Sequence, residues 1–82
     1  MAKEIKNKSE IEWQIVELIK DKRTSLKISQ AKIAAQLGVT PGYIGQIEMR
    51  GSASMYTYDQ LNELAKFFNC SPKDFMPENA LE

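Results

Sequence analysis

The sequence predicts an all-α domain, a compact bundle of five short helices. Three observations predict it. Apolar residues recur at the three- and four-residue spacing of a helix, and no stretch alternates convincingly over the length of a strand. Five residues suited to begin a helix, Ser9, Ser29, Thr40, Thr57 and Ser71, each stand just ahead of such a stretch. The links between these stretches are brief, as neighbouring helices of a bundle require. The 82 residues are expected to form one domain, 1–82, with its core at about 10–76 and flexible ends at 1–8 and 78–82.

Ser9-Glu10-Ile11-Glu12 has the form of a capping box, in which the serine hydroxyl takes the third amide and the glutamate reaches back. Ile11, Ile15, Leu18 and Ile19 follow at helical spacing, which predicts a first helix over about 10–22. Trp13 lies off that stripe and is expected to pack under the N-terminal arm. Residues 23–28 form a connection in which Leu26 and Ile28 turn inward. Ser29 opens a second helix, Gln30 to Leu37, with Ile33, Ala34 and Leu37 on its apolar side. Gly38 ends it, since glycine reaches the left-handed conformation without a Cβ penalty, and Val39 follows as the apolar residue that closes such an end. Thr40 and Pro41 then start a third helix over about 41–48, because proline in the first helical position loses no useful donor and already has helical φ. Arg50 to Ser54 is a small-residue loop. Thr57 and Gln60 form a second capping box before a fourth helix striped with Leu61, Leu64, Ala65 and Phe68, which Asn69 ends. Ser71-Pro72 starts a short fifth helix carrying Phe75 and Met76, and Pro77 stops it.

Composition removes several function classes. The chain has no histidine and one cysteine, which excludes an internal His/Cys zinc site, an internal disulfide and a nucleophile–histidine pair. The acidic pair Asp59 and Glu63 lies on a solvated helix face without a partner base, so no enzyme site is expected, and no cofactor, metal or small-molecule ligand. No run is apolar enough to span a membrane, and the opening residues lack the apolar core of a signal peptide. A cytoplasmic location is therefore expected. Net charge is zero, but unevenly spread. Lys20, Lys22, Arg23, Lys27, Lys32 and Arg50 face only Asp21 and Glu48 within 20–50, whereas the segments on either side are acidic. Such a middle segment suits one face that meets a polyanion, and equally an ordinary solvated surface.

The stretch 30–48 carries the functional information. Two helices joined by a tight glycine turn cross steeply. Ala34 is small enough to allow the crossing, and Ile44 and Ile47 fill the angle against Ile33 and Leu37. The other side of the third helix, with Thr40, Pro41, Gly42, Tyr43 and Gln46, is then free of core duty. It is small and polar enough to enter a groove.

SQAKIAAQLGVTPGYIGQIE resembles the helix-turn-helix of the Cro/phage-repressor type, the XRE family, through Gln30, Ala34, Gly38, Ile44, Ile47 and Glu48. The helix order and the later L-x-x-L-A-x-x-F agree over about 10–76. The resemblance implies a lambda-repressor-like fold and binding of double-stranded DNA, with the third helix in the major groove and the second across the backbone. By position it implies a phosphate or base-supporting contact for Gln30, base or phosphate contacts for Thr40, Pro41, Gly42 and Gln46, and a phosphate contact for Tyr43. Gln46 has the chemistry to pair with adenine N6 and N7. The Tyr43 ring either packs inward with only its hydroxyl exposed or serves the DNA. Lys32 and Arg50 flank the motif with charge suited to phosphates. Glu48 is expected to be structural, bonded to a basic residue or an amide. Lys20 or Arg23 fills the place of the family's basic residue late in the first helix.

The resemblance also implies two copies on a two-fold symmetric operator. The candidate homodimer surface is Tyr56, Tyr58, Phe67, Phe75 and Met76, with core packing the competing role for Phe67 and Phe75. The expected function is that of a repressor-like transcriptional regulator. The alternative is a protein-interaction or antitoxin-like module of the same fold, which the absence of Lys and Arg from the third helix would suit.

Overall fold

The computed structural model describes residues 7–82. Four α-helices follow one another, α1 (Glu10–Ser25), α2 (Gln30–Leu37), α3 (Pro41–Ile47) and α4 (Tyr58–Phe68), and one turn of 3-10 helix closes the bundle at Pro72–Phe75. The described residues contain no strand. The expected fifth α-helix is corrected to this single turn. Pro72 opens it and Pro77 blocks its extension, so too few residues remain for a stable α-helix. The chain instead bonds three residues back, from Asp74 N–H to Ser71 O at 2.8 Å and from Met76 N–H to Lys73 O at 3.1 Å.

The caps form where their residue types place them. Ser9 and Glu12 complete one capping box, Thr57 and Gln60 another, and Ser71 and Asp74 a third. α1 runs three residues further than expected and reverses at Lys27, whose φ is +59°. There Lys27 N–H bonds Thr24 O at 3.0 Å and Ile28 N–H bonds Arg23 O at 2.9 Å. The reversal leaves Leu26 about half exposed, against the expectation that it turns inward, while Ile28 packs on the core. Gly38 and Asn69 end α2 and α4 by the same pair of bonds, both in the left-handed region.

α2 packs on α3 and α4, and the 3-10 turn packs on α1 and α4. The core draws Ile15, Val16 and Ile19 from α1, Ile33 and Ala34 from α2, Ile44 and Ile47 from α3, and Leu61, Leu64, Ala65 and Phe68 from α4. Phe75 seals the bottom, edge-on to Phe68 at 6.2 Å. Val16 takes the buried place expected of Ile11, which is exposed at the start of α1. Residues 1–6 of the arm expected to be flexible lie outside the described residues, but Lys8 is buried. No helix among the described residues is long and apolar enough to cross a membrane.

Candidate nucleic-acid interface

The helix pair 30–47 is built from local chemistry. The Ser29 hydroxyl accepts the Lys32 amide at 3.0 Å and starts α2. Gly38, at φ +72°, reverses the chain. The Thr40 hydroxyl accepts the Tyr43 amide at 3.2 Å, with Pro41 in the first turn of α3. Ile33, Ala34, Ile44 and Ile47 close the angle and are fully buried. Thr40, Pro41, Gly42 and Gln46 are exposed on the other side, so the surface left by the core is the one expected, with the exception of Tyr43.

The remaining candidates are distributed unevenly. Gln30 is half-buried and its Nε2 donates to Glu48 Oε1 at 2.7 Å, which ties the start of α2 to the end of α3. Its Oε1 faces Gly45, where an added Cβ would stand 3.7 Å away. Tyr43 takes the packed one of its two expected roles, with its hydroxyl engaged rather than exposed. The ring packs on the core, and the hydroxyl donates to Met55 O at 3.1 Å. Lys32 is exposed in the first turn of α2. Arg50 turns back to α1, where its guanidinium pairs with Glu10 and covers the Trp13 ring at 5.6 Å. That contact shows one partner of Trp13, whose expected arm neighbours at 1–6 lie outside the described residues.

Two buried cations support the site from beneath. The Arg23 Nε and Nη2 donate to the two oxygens of Glu48 at 3.0 and 2.9 Å, and Nη1 donates to Ile28 O at 2.8 Å. Glu48 thus joins α1, α2 and the end of α3, and of Lys20 and Arg23 it is Arg23 that reaches it. Lys8, missed in the sequence, donates to Met49 O and Ser52 O at 2.7 Å each, pinning the loop after α3. Burial pushes its ammonium below the usual lysine value, with Glu12 acting in the opposite direction. Only its nearness to the Ser9 cap could have hinted at this role.

The candidate pairing surface is corrected in two places. Tyr56 is buried in the core, with its hydroxyl lacking a hydrogen-bond partner among the described residues. Phe75 is buried as well, as its competing role required. Phe67 is half-buried. Tyr58 stays 87% exposed and Met76 partly so, and with Ile11 and Met55 they line an open apolar groove of about 620 Å³.

The sequence pattern that defines the helix-turn-helix family matches residues 19–75. The chain belongs to the XRE helix-turn-helix family. That match spans α2, the glycine turn and α3, together with Arg23, Gln30 and Glu48, the residues that lock the helix-turn-helix together. No curated protein matches the chain. Among solved structures it is similar to hydroxypropylphosphonic acid epoxidase from S. wedmorenis, with a TM-score of 0.72 and 28% identity over 85% of this chain and 36% of that one. It is similar to CoII HppE in complex with substrate, with a TM-score of 0.70 and 30% identity over 88% of this chain and 40% of that one. CoII HppE in complex with Tris buffer gives a TM-score of 0.72 and 29% identity over 90% and 42% of the two chains. The chain therefore spans less than half the length of these proteins.

Proposed function

We propose that this XRE-family chain binds double-stranded DNA sequence-specifically, laying α3 in the major groove, and acts as a repressor-like transcriptional regulator in the cytoplasm. One observation carries the reading. α3 buries Ile44 and Ile47 completely and leaves Thr40, Pro41, Gly42 and Gln46 exposed on its opposite side, a small polar surface suited to base edges. Gln46 is the base reader, Lys32 and the amides at the start of α2 meet phosphates, and Gln30 supports α3 from behind. The role is binding alone, with no chemistry, cofactor or metal of its own.

A two-fold operator calls for two copies, and the exposed apolar residues Ile11, Tyr58 and Met76 are the surface on which they would pair. A second reading is a protein-interaction module. It is favoured by the absence of Lys and Arg from α3. Selection from random duplexes, followed by binding at graded salt, separates the two. The regulator reading expects one enriched site, bound with an affinity that falls steeply with salt, and a DNA complex holding two protein copies. No retention at low salt would reject it.

A further inference from the structure

The loop after α3 places a hydroxyl against the base reader. The Ser52 hydroxyl donates to Gln46 Oε1 at 3.2 Å. Ser52 is itself held on three other sides. Its N–H donates to Met49 O at 3.1 Å, its carbonyl accepts from Lys8 Nζ at 2.7 Å, and its Oγ accepts the Ser54 amide at 3.1 Å. One of the two lone pairs of Oγ accepts from Ser54, and the hydroxyl proton is given to the Gln46 oxygen. In this arrangement the oxygen end of the Gln46 amide faces the loop. The oxygen is turned toward Ser52, which leaves the two N–H donors of Nε2 for other partners.

We propose that Ser52 is a specificity-determining positioning residue, which orients the Gln46 amide so that it presents donors to the base edge. The proposal rests on the DNA-binding reading above and refines it. A glutamine pairs with adenine in two bonds only if its oxygen accepts from N6 while its nitrogen donates to N7. An amide whose oxygen already accepts from the loop keeps both N–H donors and only one lone pair, and the donors match an edge of acceptors, which guanine N7 and O6 form. Gln46 in this chain therefore favours guanine over adenine at its position.

Random-duplex selection with the wild type, Ser52→Ala, Ser52→Thr and Gln46→Ala tests this, with thermal melting of each protein measured alongside. The wild type is expected to enrich guanine at one position. Ser52→Ala should lower the guanine-to-adenine ratio there by about fivefold or more and leave the other positions unchanged, whereas Ser52→Thr keeps the preference. Gln46→Ala should erase the preference at the same position. A Ser52→Ala profile identical to the wild type, or uniformly weakened binding at every position, overturns the proposal while the regulator reading stands. So does adenine at the position that Gln46→Ala alters, or a profile that Gln46→Ala leaves intact. A wild type that selects no sequence overturns both.

Discussion

Glu48 shows how much can depend on one side chain. Its carboxylate takes two bonds from Arg23 and one from Gln30, with the Arg23 and Glu48 side chains 9% and 4% exposed. Removing one partner of a buried pair strands the other charge, at a cost of about 3–5 kcal/mol. Glu48→Ala is therefore expected to lose most of the stability of a domain this small, read as the urea midpoint. Arg23→Met combined with Glu48→Leu should recover much of that loss, because neither charge then remains buried; a double variant as weak as the single one would reject this account. Tyr56 gives a prediction in pH. Burial, with Glu48 nearby, raises its hydroxyl above the ordinary value of 10.0. Below pH 10 both folded and unfolded chains keep the proton, so Tyr56 adds no pH dependence. Above it the unfolded chain releases the proton first, and stability falls as pH rises. Tyr56→Phe should flatten the alkaline fall in the urea midpoint between about pH 9 and about pH 11. An equal fall in both proteins would count against it. The sequence showed Glu48 as structural and Arg23 as a candidate basic residue, but joining them across 25 positions needs the fold. The burial of Tyr56 has a local signal that the surface reading overlooks: a residue just ahead of an N-cap is placed to pack on the fourth helical residue, here Leu61, and both lie in the core.

The elements differ in how openly the chain announces them. Caps and glycine turns act over three or four residues, so Ser9, Thr40, Pro41, Gly38 and Asn69 are legible in the sequence. The end of α1 is not, because Lys27 occupies a left-handed position usually given to glycine or asparagine. A β-carbon there costs about 1 kcal/mol. Lys27→Gly is thus expected to raise stability by about that amount, seen as a higher melting temperature; an unchanged or lower one would show that the lysine side chain compensates. Gly45 gives the opposite kind of test. A Cβ on it meets only Gln30 Oε1 at 3.7 Å, an ordinary contact, so the helix should gain up to about 1 kcal/mol from Gly45→Ala. If the bare backbone lies against DNA, the same variant binds its site more weakly while melting higher. The site was legible to the same degree as the elements. The exposed side of α3 follows from the spacing of Ile44 and Ile47, whereas the positions of Arg50, Ser52 and Lys8 depend on a loop that folds back across the molecule.

At the scale of the whole molecule, charge is distributed rather than abundant. The net charge is zero, and the cations collect between Lys20 and Arg50. Three of the six are not simply presented to solvent: Arg23 is buried against Glu48, Arg50 is paired with Glu10, and Lys22 is half-buried. Few phosphates can then be neutralised by each copy. Lys32→Ala is expected to reduce the slope of log affinity against log salt by about one. A slope unchanged within error would remove Lys32 from the contact. The arrangement around Arg50 has an experimental consequence of its own. Trp13 is the chain's single tryptophan, and the guanidinium rests on its ring while pairing with an exposed carboxylate. A polyanion that draws Arg50 away from Glu10 changes the surroundings of that indole. The chain thus carries a native fluorophore beside a cation that phosphate can recruit, and duplex binding can be followed by intrinsic emission without a label. Emission that stays flat up to saturation would mean that Arg50 keeps its seat on the ring throughout.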